Sequence, residues 1–348
     1  MNTTPFSLAM VALLALAVVM ALAIGAVPVS LDQLGLWTLR WWPGNAIELP
    51  RHIEIVLSDI RAPRLLMGML IGASLAMAGA SIQGLFRNPL ADPGLIGVSS
   101  GAALAALAVI VLGNTLLAGW MTTFGFLALP LAAFGGALGV TWIIYWIAKR
   151  TPGGGQITTL ILAGVAITAF AGAVSGVLTF LANDAALRSF TFWSMGSLAS
   201  VTWRDLAIAA PWILVSLIAF PLLAPALNVL LMGEAVCEHL GIDPHRIRRR
   251  VFIFTALAVG AGVSVAGMIG FVGLVVPHLV RLSIGPDHRA LIPLSGIVGA
   301  ALLVWADILA RIVVAPAELP IGIITSLIGG PFFLYLLLRH NGSALNHD

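Results

Sequence analysis

The few ionic groups in this apolar chain of 348 residues are where its chemistry must lie. Arg61 and Arg64 flank Pro63, just before a charge-free run from Leu65 to Phe86. Pro63 suits the first turn of a helix, which would put both cations at the positive end of the helix dipole, where anions belong. Two readings follow: attraction of an acidic partner outside the membrane, or snorkelling to lipid phosphates. Asp307 and Arg311 lie one helical turn apart inside another apolar run, a spacing that forms local ion pairs. His278 is a lone histidine in its span and suits a hydrogen bond to neighbours better than metal ligation. No His, Cys, Asp or Glu cluster has the spacing of a metal centre or catalytic triad, so an intramembrane enzyme ranks last. Nor is there a P-loop. The single lysine, Lys149, is followed by Arg150, and no G-x-x-x-x-G-K precedes it. The energy source therefore belongs on another polypeptide. An autonomous ion-coupled carrier is the competing class, and it would need Asp307 to titrate during transport.

The elements that position these groups are membrane helices. The chain is 60% hydrophobic and 9% charged, against about 25% charged in soluble domains. Its mean hydropathy is +1.07. The apolar runs are continuous and about twice the ten-residue alternating segments of a barrel, which points to an all-α polytopic protein with one membrane domain, 1–348. Thirty-seven glycines suit close helix packing in lipid. The one cysteine, Cys237, excludes an internal disulfide. Sixteen arginines against one lysine suit lipid headgroups or acidic protein partners. The lack of interleaved aromatics argues against nucleic acid.

Candidate spans are Phe6–Val27, Leu65–Phe86, about Gly94–Gly113, Phe126–Ala148, Ile157–Ala182, Leu206–Met232, Ala290–Ala310 and Leu319–Leu338. Phe6–Val27 is long for a secretory signal and lacks a charged leader, so it reads as a retained helix. Trp41 and Trp42 suit an interfacial belt. Ala185 to Ser194 reads as a short interfacial helix. Val251–Val280 has no full charge; it is long for one span and short for two, so counting gives nine or ten crossings. With the N-terminus inside, ten basic residues fall inside and seven outside, which favours both termini on the cytoplasmic side.

Gly233–Arg250 is the most charged loop and the best docking candidate on the inner side. Glu234–Leu240 reads as a short helix closed by Gly241, and Asp243-Pro244 as a cap with a first-turn proline. The other reading is a solvated connector. Asn88 and Leu90 lie at the inner mouth, with Thr158 and Thr159 at the same level. Thr168, Ser175 and Thr179 recur at roughly helical spacing, more often a sign of interhelical packing than of a pathway.

Three ordered blocks resemble the permease subunit of ABC importers for haem, ferric siderophores and vitamin B12. The first is Arg61-Ala62-Pro63-Arg64 with Gln83, Asn88-Pro89-Leu90-Ala91, Pro93 and Gly97. The second is Gly267 to His278, continuing to Arg281. The third joins Ala306-Asp307-Ile308-Leu309-Ala310-Arg311 to Glu318-Leu319-Pro320-Ile321-Gly322. The likeness covers residues 55 to 338, and Leu187–Val201 looks most like haem permeases. It implies ten transmembrane helices in the bacterial inner membrane and pairing with a second copy, the path running along the dimer axis. It also implies a cytoplasmic ATPase dimer that holds the ATP and Mg, with no cofactor on this chain, and a periplasmic substrate-binding protein. By the same resemblance Arg61, Arg64 and Arg311 dock the binding protein. Glu234, Ala235, Glu238, Leu240, Gly241 and Ile242 couple to the ATPase, and Asn88, Leu90, Thr158 and Thr159 form the cytoplasmic gate. The family carries His in its second block whatever the substrate, which weakens a ligand reading of His278 further.

Overall fold

A computed structural model describes residues 4–40, 49–151 and 157–344. Every regular element among them is helical. In order these are α1 (Thr4–Ala23), α2 (Leu31–Leu39), α3 (Arg51–Ile55), α4 (Ala62–Phe86), α5 (Val98–Leu112), α6 (Ala118–Phe124), α7 (Ala128–Arg150), α8 (Ile157–Leu181), α9 (Asp184–Ser194), α10 (Trp203–Leu231), α11 (Glu234–His239), α12 (Pro244–Ala266), α13 (Val272–Ile284), α14 (His288–Ile312) and α15 (Ile321–Ala344). Among the described residues, 7 helical stretches are long and apolar enough to cross a membrane, and α5, α13 and Ile321–Tyr335 of α15 are apolar but shorter. The short helix expected over Ala185 to Ser194 is α9, capped by the Asn183 side chain on the Ala186 N–H. Trp41 and Trp42 lie outside the described residues.

The bundle is built around α4, which is apolar on all sides and buried on nearly all of them. α14, α10, α13 and α12 pack against it. Close approach depends on small residues: a Cβ on Gly72 would overlap the Gly299 carbonyl, and one on Gly79 the Gly273 carbonyl. α5, α7 and α8 form a second layer. Only 17% of the apolar window of α1, and of α8, is buried, so both lie at the periphery.

The helix that carries Arg61 and Arg64 does not begin at Pro63. It begins at Arg51 and runs unbroken for 36 residues to Phe86. The charges of its first part hide that part from a search for charge-free runs. Pro63 is accommodated by a π-turn over Val56–Arg61, in which the Ala62 N–H reaches back to the Leu57 carbonyl. Proline has no N–H to donate, so the Ser58 carbonyl has no helical partner. The Trp203 indole N–H donates to it instead, at 2.8 Å.

Two further segments depart from simple spans. After Phe86 the chain turns through Arg87 in the left-handed region, φ 49°. The elbow then climbs back into the protein. The Pro93 ring and the Leu75 carbonyl both abut Gly273, and Leu75 lies roughly 16 Å back along α4. Asx turns satisfy the elbow's own backbone: Asn88 Oδ1 accepts from Leu90 N–H and Asp92 Oδ1 from Gly94 N–H, at 2.9 and 2.7 Å. The elbow therefore covers part of the crossing, which explains why α5 needs only 15 residues. α12 and α13 are likewise separated by a break at Gly267–Phe271, buried at Gly267 and Ile269 and exposed at Gly270, with α13 only 13 residues long. Such irregular backbone is tolerated at membrane depth where protein surrounds it.

Candidate functional site

The two ends of the bundle carry different chemistry. His288 at the start of α14 lies against Gly84, and Arg64 near the other end pairs with Asp307. Both separations, along α4 and along α14, are roughly 30 Å, the thickness of a bilayer core.

At the Arg64 end, the guanidinium grips Asp307 through Nε and Nη2 at 2.9 and 2.8 Å. Its Nη1 donates to Glu318 Oε2 at 2.9 Å. Arg311 closes the other side of Asp307 at 3.1 Å. The remaining donors go to the end of α1. Arg311 Nη1 donates to the Ala21 and Ile24 carbonyls at 3.1 and 3.2 Å. Arg61 donates to the carbonyls of Leu22, Ala23 and Val27. Helix C-termini leave carbonyls unpaired and attract cations; here two other helices supply those cations.

The sequence reading leaves Arg61 and Arg64 in need of a partner beyond their own helix, and these contacts supply partners within the chain for all three arginines. They are not free cations on an outer surface: Arg61 is 5% and Arg64 6% exposed, and the Arg311 side chain is 7% exposed. Every one has partners inside the chain, and neither Arg61 nor Arg64 is at a helix start. Asp307 pairs with Arg311 at the expected i,i+4 spacing and also with Arg64, whose partnership over so many residues carries no local signal.

The mid-bundle holds the two irregular segments face to face. A cavity of about 240 Å³ between them is lined by Asp92, Ser99, Met268 and Phe271, among others. Gln83 ties α4 to the first turn of α13, donating to the Leu274 carbonyl at 3.2 Å. Phe271 adopts φ 66°, a costly conformation for a bulky residue, and its ring fills the space left by Gly329 of α15. The Ser197 N–H donates to the Ala266 carbonyl at 2.7 Å, and the Gly322 N–H to the Met195 carbonyl at 3.1 Å. α9 and α15 thereby clamp the break. Nothing in the sequence marks Phe271 or Asp92 for this role; the glycines around the break are the visible cue. The His278 ring sits edge-on to Phe332. No group of three or more potential metal ligands occurs among the described residues.

At the opposite end, the Gly233–Arg250 loop takes the expected form. α11 lies between Gly233 at φ 121° and Gly241 at φ 72°. Cys237 is buried beneath it, while Ala235, Glu238, Leu240 and Gly241 are exposed and Glu234 and Ile242 half-buried. Glu234 is joined to Arg248 of α12 at 3.2 Å, and Asp243 caps α12 by accepting from the His245 N–H at 2.8 Å. Burial pushes the Asp243 carboxyl upward, but the N–H groups of His245 and Arg246 outweigh it and hold it below the usual range. α12 starts at Pro244, about two turns earlier than its charge-free run, so Arg246, Arg248, Arg249 and Arg250 are helical.

Asn88 and Thr158 are exposed, and Leu90 and Thr159 half-buried. No hydrogen bond joins the two pairs among the described residues. The elbow meets α8 at Gly164, against the Leu95 carbonyl. Thr168 bonds Ser100 of α5 at 3.2 Å, so this hydroxyl does serve helix packing. Thr179 is exposed and Ser175 half-buried, and nothing lies within 4 Å of where Gly172 or Gly176 would carry a side chain.

Comparison with known proteins agrees with this architecture. Residues 13–339 match the FecCD transport family. The chain is 43% identical over 318 residues to the hemin transport system permease protein HmuU of Yersinia pestis, covering 91% of this chain and 92% of the relative. It is 43% identical over 297 residues to the cobalamin import system permease protein BtuC of Halobacterium salinarum, covering 85% and 77%. A solved metal-chelate type ABC transporter in an inward-facing conformation superposes with a TM-score of 0.83 at 28% identity, covering 97% of this chain and 99% of that one. With its α4-centred bundle, its two distinct ends and these likenesses over nearly its whole length, the chain belongs to the FecCD transport family, the membrane permeases of ABC importers.

Proposed function

We propose that this permease moves haem, or another iron chelate, from periplasm to cytoplasm by alternating access, as a pair of identical chains. The supporting observation is the α11 loop: an exposed short helix between two positive-φ glycines, braced on α12 by the Glu234–Arg248 pair. That is a rigid lever, and it offers Leu240, 61% exposed, to a partner. A cytoplasmic ATPase dimer holding ATP and Mg presses on Glu234, Ala235, Glu238, Leu240, Gly241 and Ile242. The force passes through α12 to the break before α13.

The 7 long stretches and 3 shorter apolar helices together make ten crossings, with both termini cytoplasmic. The second copy faces the open side of α8, where Thr168, Gly172, Ser175, Gly176 and Thr179 share one stripe. The path runs along that shared surface, with Asn88, Leu90, Thr158 and Thr159 at its cytoplasmic gate. A periplasmic binding protein docks over the cluster of Arg61, Arg64 and Arg311. One of its carboxylates reaches the Arg64 guanidinium by displacing Glu318, whose side chain is 38% exposed.

Haem is favoured over cobalamin because the hemin permease aligns over more of both chains at equal identity. The test is uptake into proteoliposomes that contain this chain, its ATPase and its binding protein. ATP-dependent haem accumulation that survives collapse of ion gradients is the expected result. Cobalamin uptake without haem uptake transfers the substrate assignment. Gradient-driven uptake by this chain alone removes the importer reading.

A further inference from the structure

The α11 end of the bundle has a second feature that the transport reading does not use. An open cleft of about 580 Å³ lies between the end of α7, the start of α8 and the first turns of α12. Tyr145 and Leu160 line it, together with four cations: Lys149, Arg246, Arg248 and Arg249. Arg248 pairs with Glu234 and Arg246 with Asp243. Lys149 and Arg249 have no carboxylate partner among the described residues. Four cations against two carboxylates leave a net charge of +2.

Helix stability does not explain this charge. Arg246 and Arg249 sit in the first two turns of the 23-residue α12, where the dipole disfavours cations and favours an anion. The depth of the cleft is set by its neighbours. Trp142 and Trp146 stack at 6.4 Å and are 64% and 41% exposed, facing outward from α7. Exposed tryptophans mark the membrane boundary. Arg150 lies over the Trp146 ring at 4.2 Å. Lys149 is seven residues beyond Trp142, roughly 10 Å further out, which is headgroup depth.

We propose that this cleft binds the headgroup of an anionic phospholipid, its phosphate between Lys149 and Arg249 and its acyl chains along the tryptophan face of α7. Basic pockets between membrane helices suit such headgroups. The lipid would tie α12, which follows the coupling loop, to α8 beside Thr158 and Thr159.

Native mass spectrometry of the intact chain, exchanged into mixed phosphatidylglycerol and phosphatidylethanolamine, tests this. One phosphatidylglycerol retained per chain is expected. The Lys149→Gln/Arg249→Gln variant should weaken that binding roughly 25-fold, at about fivefold per cation, with unchanged thermal unfolding. Equal retention by variant and wild type overturns the site. So does displacement by millimolar inorganic phosphate, which would make the ligand a free anion, or loss of the lipid on assembly with the ATPase, which would make the cleft a protein contact. If the variant does not fold, the wild-type chain decides: no preference for phosphatidylglycerol over phosphatidylethanolamine overturns the proposal.

Discussion

Arg64 and Asp307 meet by three hydrogen bonds, of 2.8, 2.9 and 3.1 Å, inside the bundle, although 243 positions separate them in sequence. The pair fastens the two central helices, α4 and α14, at one end. Removing one partner leaves the other buried with only its second ion pair, Glu318 for Arg64 or Arg311 for Asp307, so the cost approaches the about 3–5 kcal/mol of a broken buried pair. Arg64→Gln and Asp307→Asn should each lower the unfolding temperature sharply. The double variant should lose less than the sum. Full additivity in a double-mutant cycle would show that the pair is not coupled.

Arg61 and Arg311 have a different task, holding the end of α1. Neutralising both should speed hydrogen exchange across Ala21–Val27 while exchange in α4 and α14 stays slower by far. Uniform loss of protection would mean that α1 is not a separately anchored element.

Glu318 competes for Arg64 with any acidic partner approaching that end. Glu318→Gln should therefore tighten association with the binding protein by a few-fold, chiefly through faster encounter at low salt. Surface plasmon resonance at two ionic strengths measures it. Weaker binding would mean that Glu318 itself belongs to the docking surface.

The exposed α11 surface should be separable from folding. Leu240→Asp adds a charge where the chain itself makes no use of the side chain, so unfolding should be unchanged within about 0.5 kcal/mol. Co-purification with the ATPase should fall at least tenfold. Retained assembly would move the coupling contact elsewhere.

Asp287 caps α14 through the Arg289 N–H, at 3.0 Å, and accepts from the Asn228 side chain. These bonds hold its carboxyl below the usual range. A lowered folded-state value contributes stability above the unfolded value, about 3.9, and loses it as pH falls through the folded one. Acid should loosen the α10–α14 junction below about pH 4, and Asp287→Asn should flatten that limb. A pH profile identical to wild type would show that the cap does not titrate with folding.

Much of the architecture is legible in the sequence because charge-free runs are the signal of membrane helices. α8 appears as the run Ile157–Ala182, and the loop around α11 follows from Gly241 and Asp243-Pro244 alone. The helix start at Arg61 and Arg64 is misplaced for a physical reason. Arg51, Glu54 and Asp59 interrupt the apolar run, so the helix seems to start at Pro63, and cations at a helix start seem to need an outside partner. The partners of Arg61 and Arg64 within the chain lie at the end of α1, on α14 and in the turn before α15, contacts with no short-range pattern. The re-entrant elbow is hidden likewise, since Asn88-Pro89 and Asp92-Pro93-Gly94 read equally well as a turn left in water.

The wide turn before Pro63 has a mechanical consequence. Such a turn is one surplus residue stored in a rod, and it can travel when successive amides exchange acceptors. Travel by one step turns only the residue it passes, by roughly 100°, without severing the helix. Pro63 has no amide to exchange, so the slack is barred from passing toward the centre. Residues of the outer stub held by Trp203 and the Arg40–Glu54 pair can thus change their facing while those inward of Pro63 keep theirs.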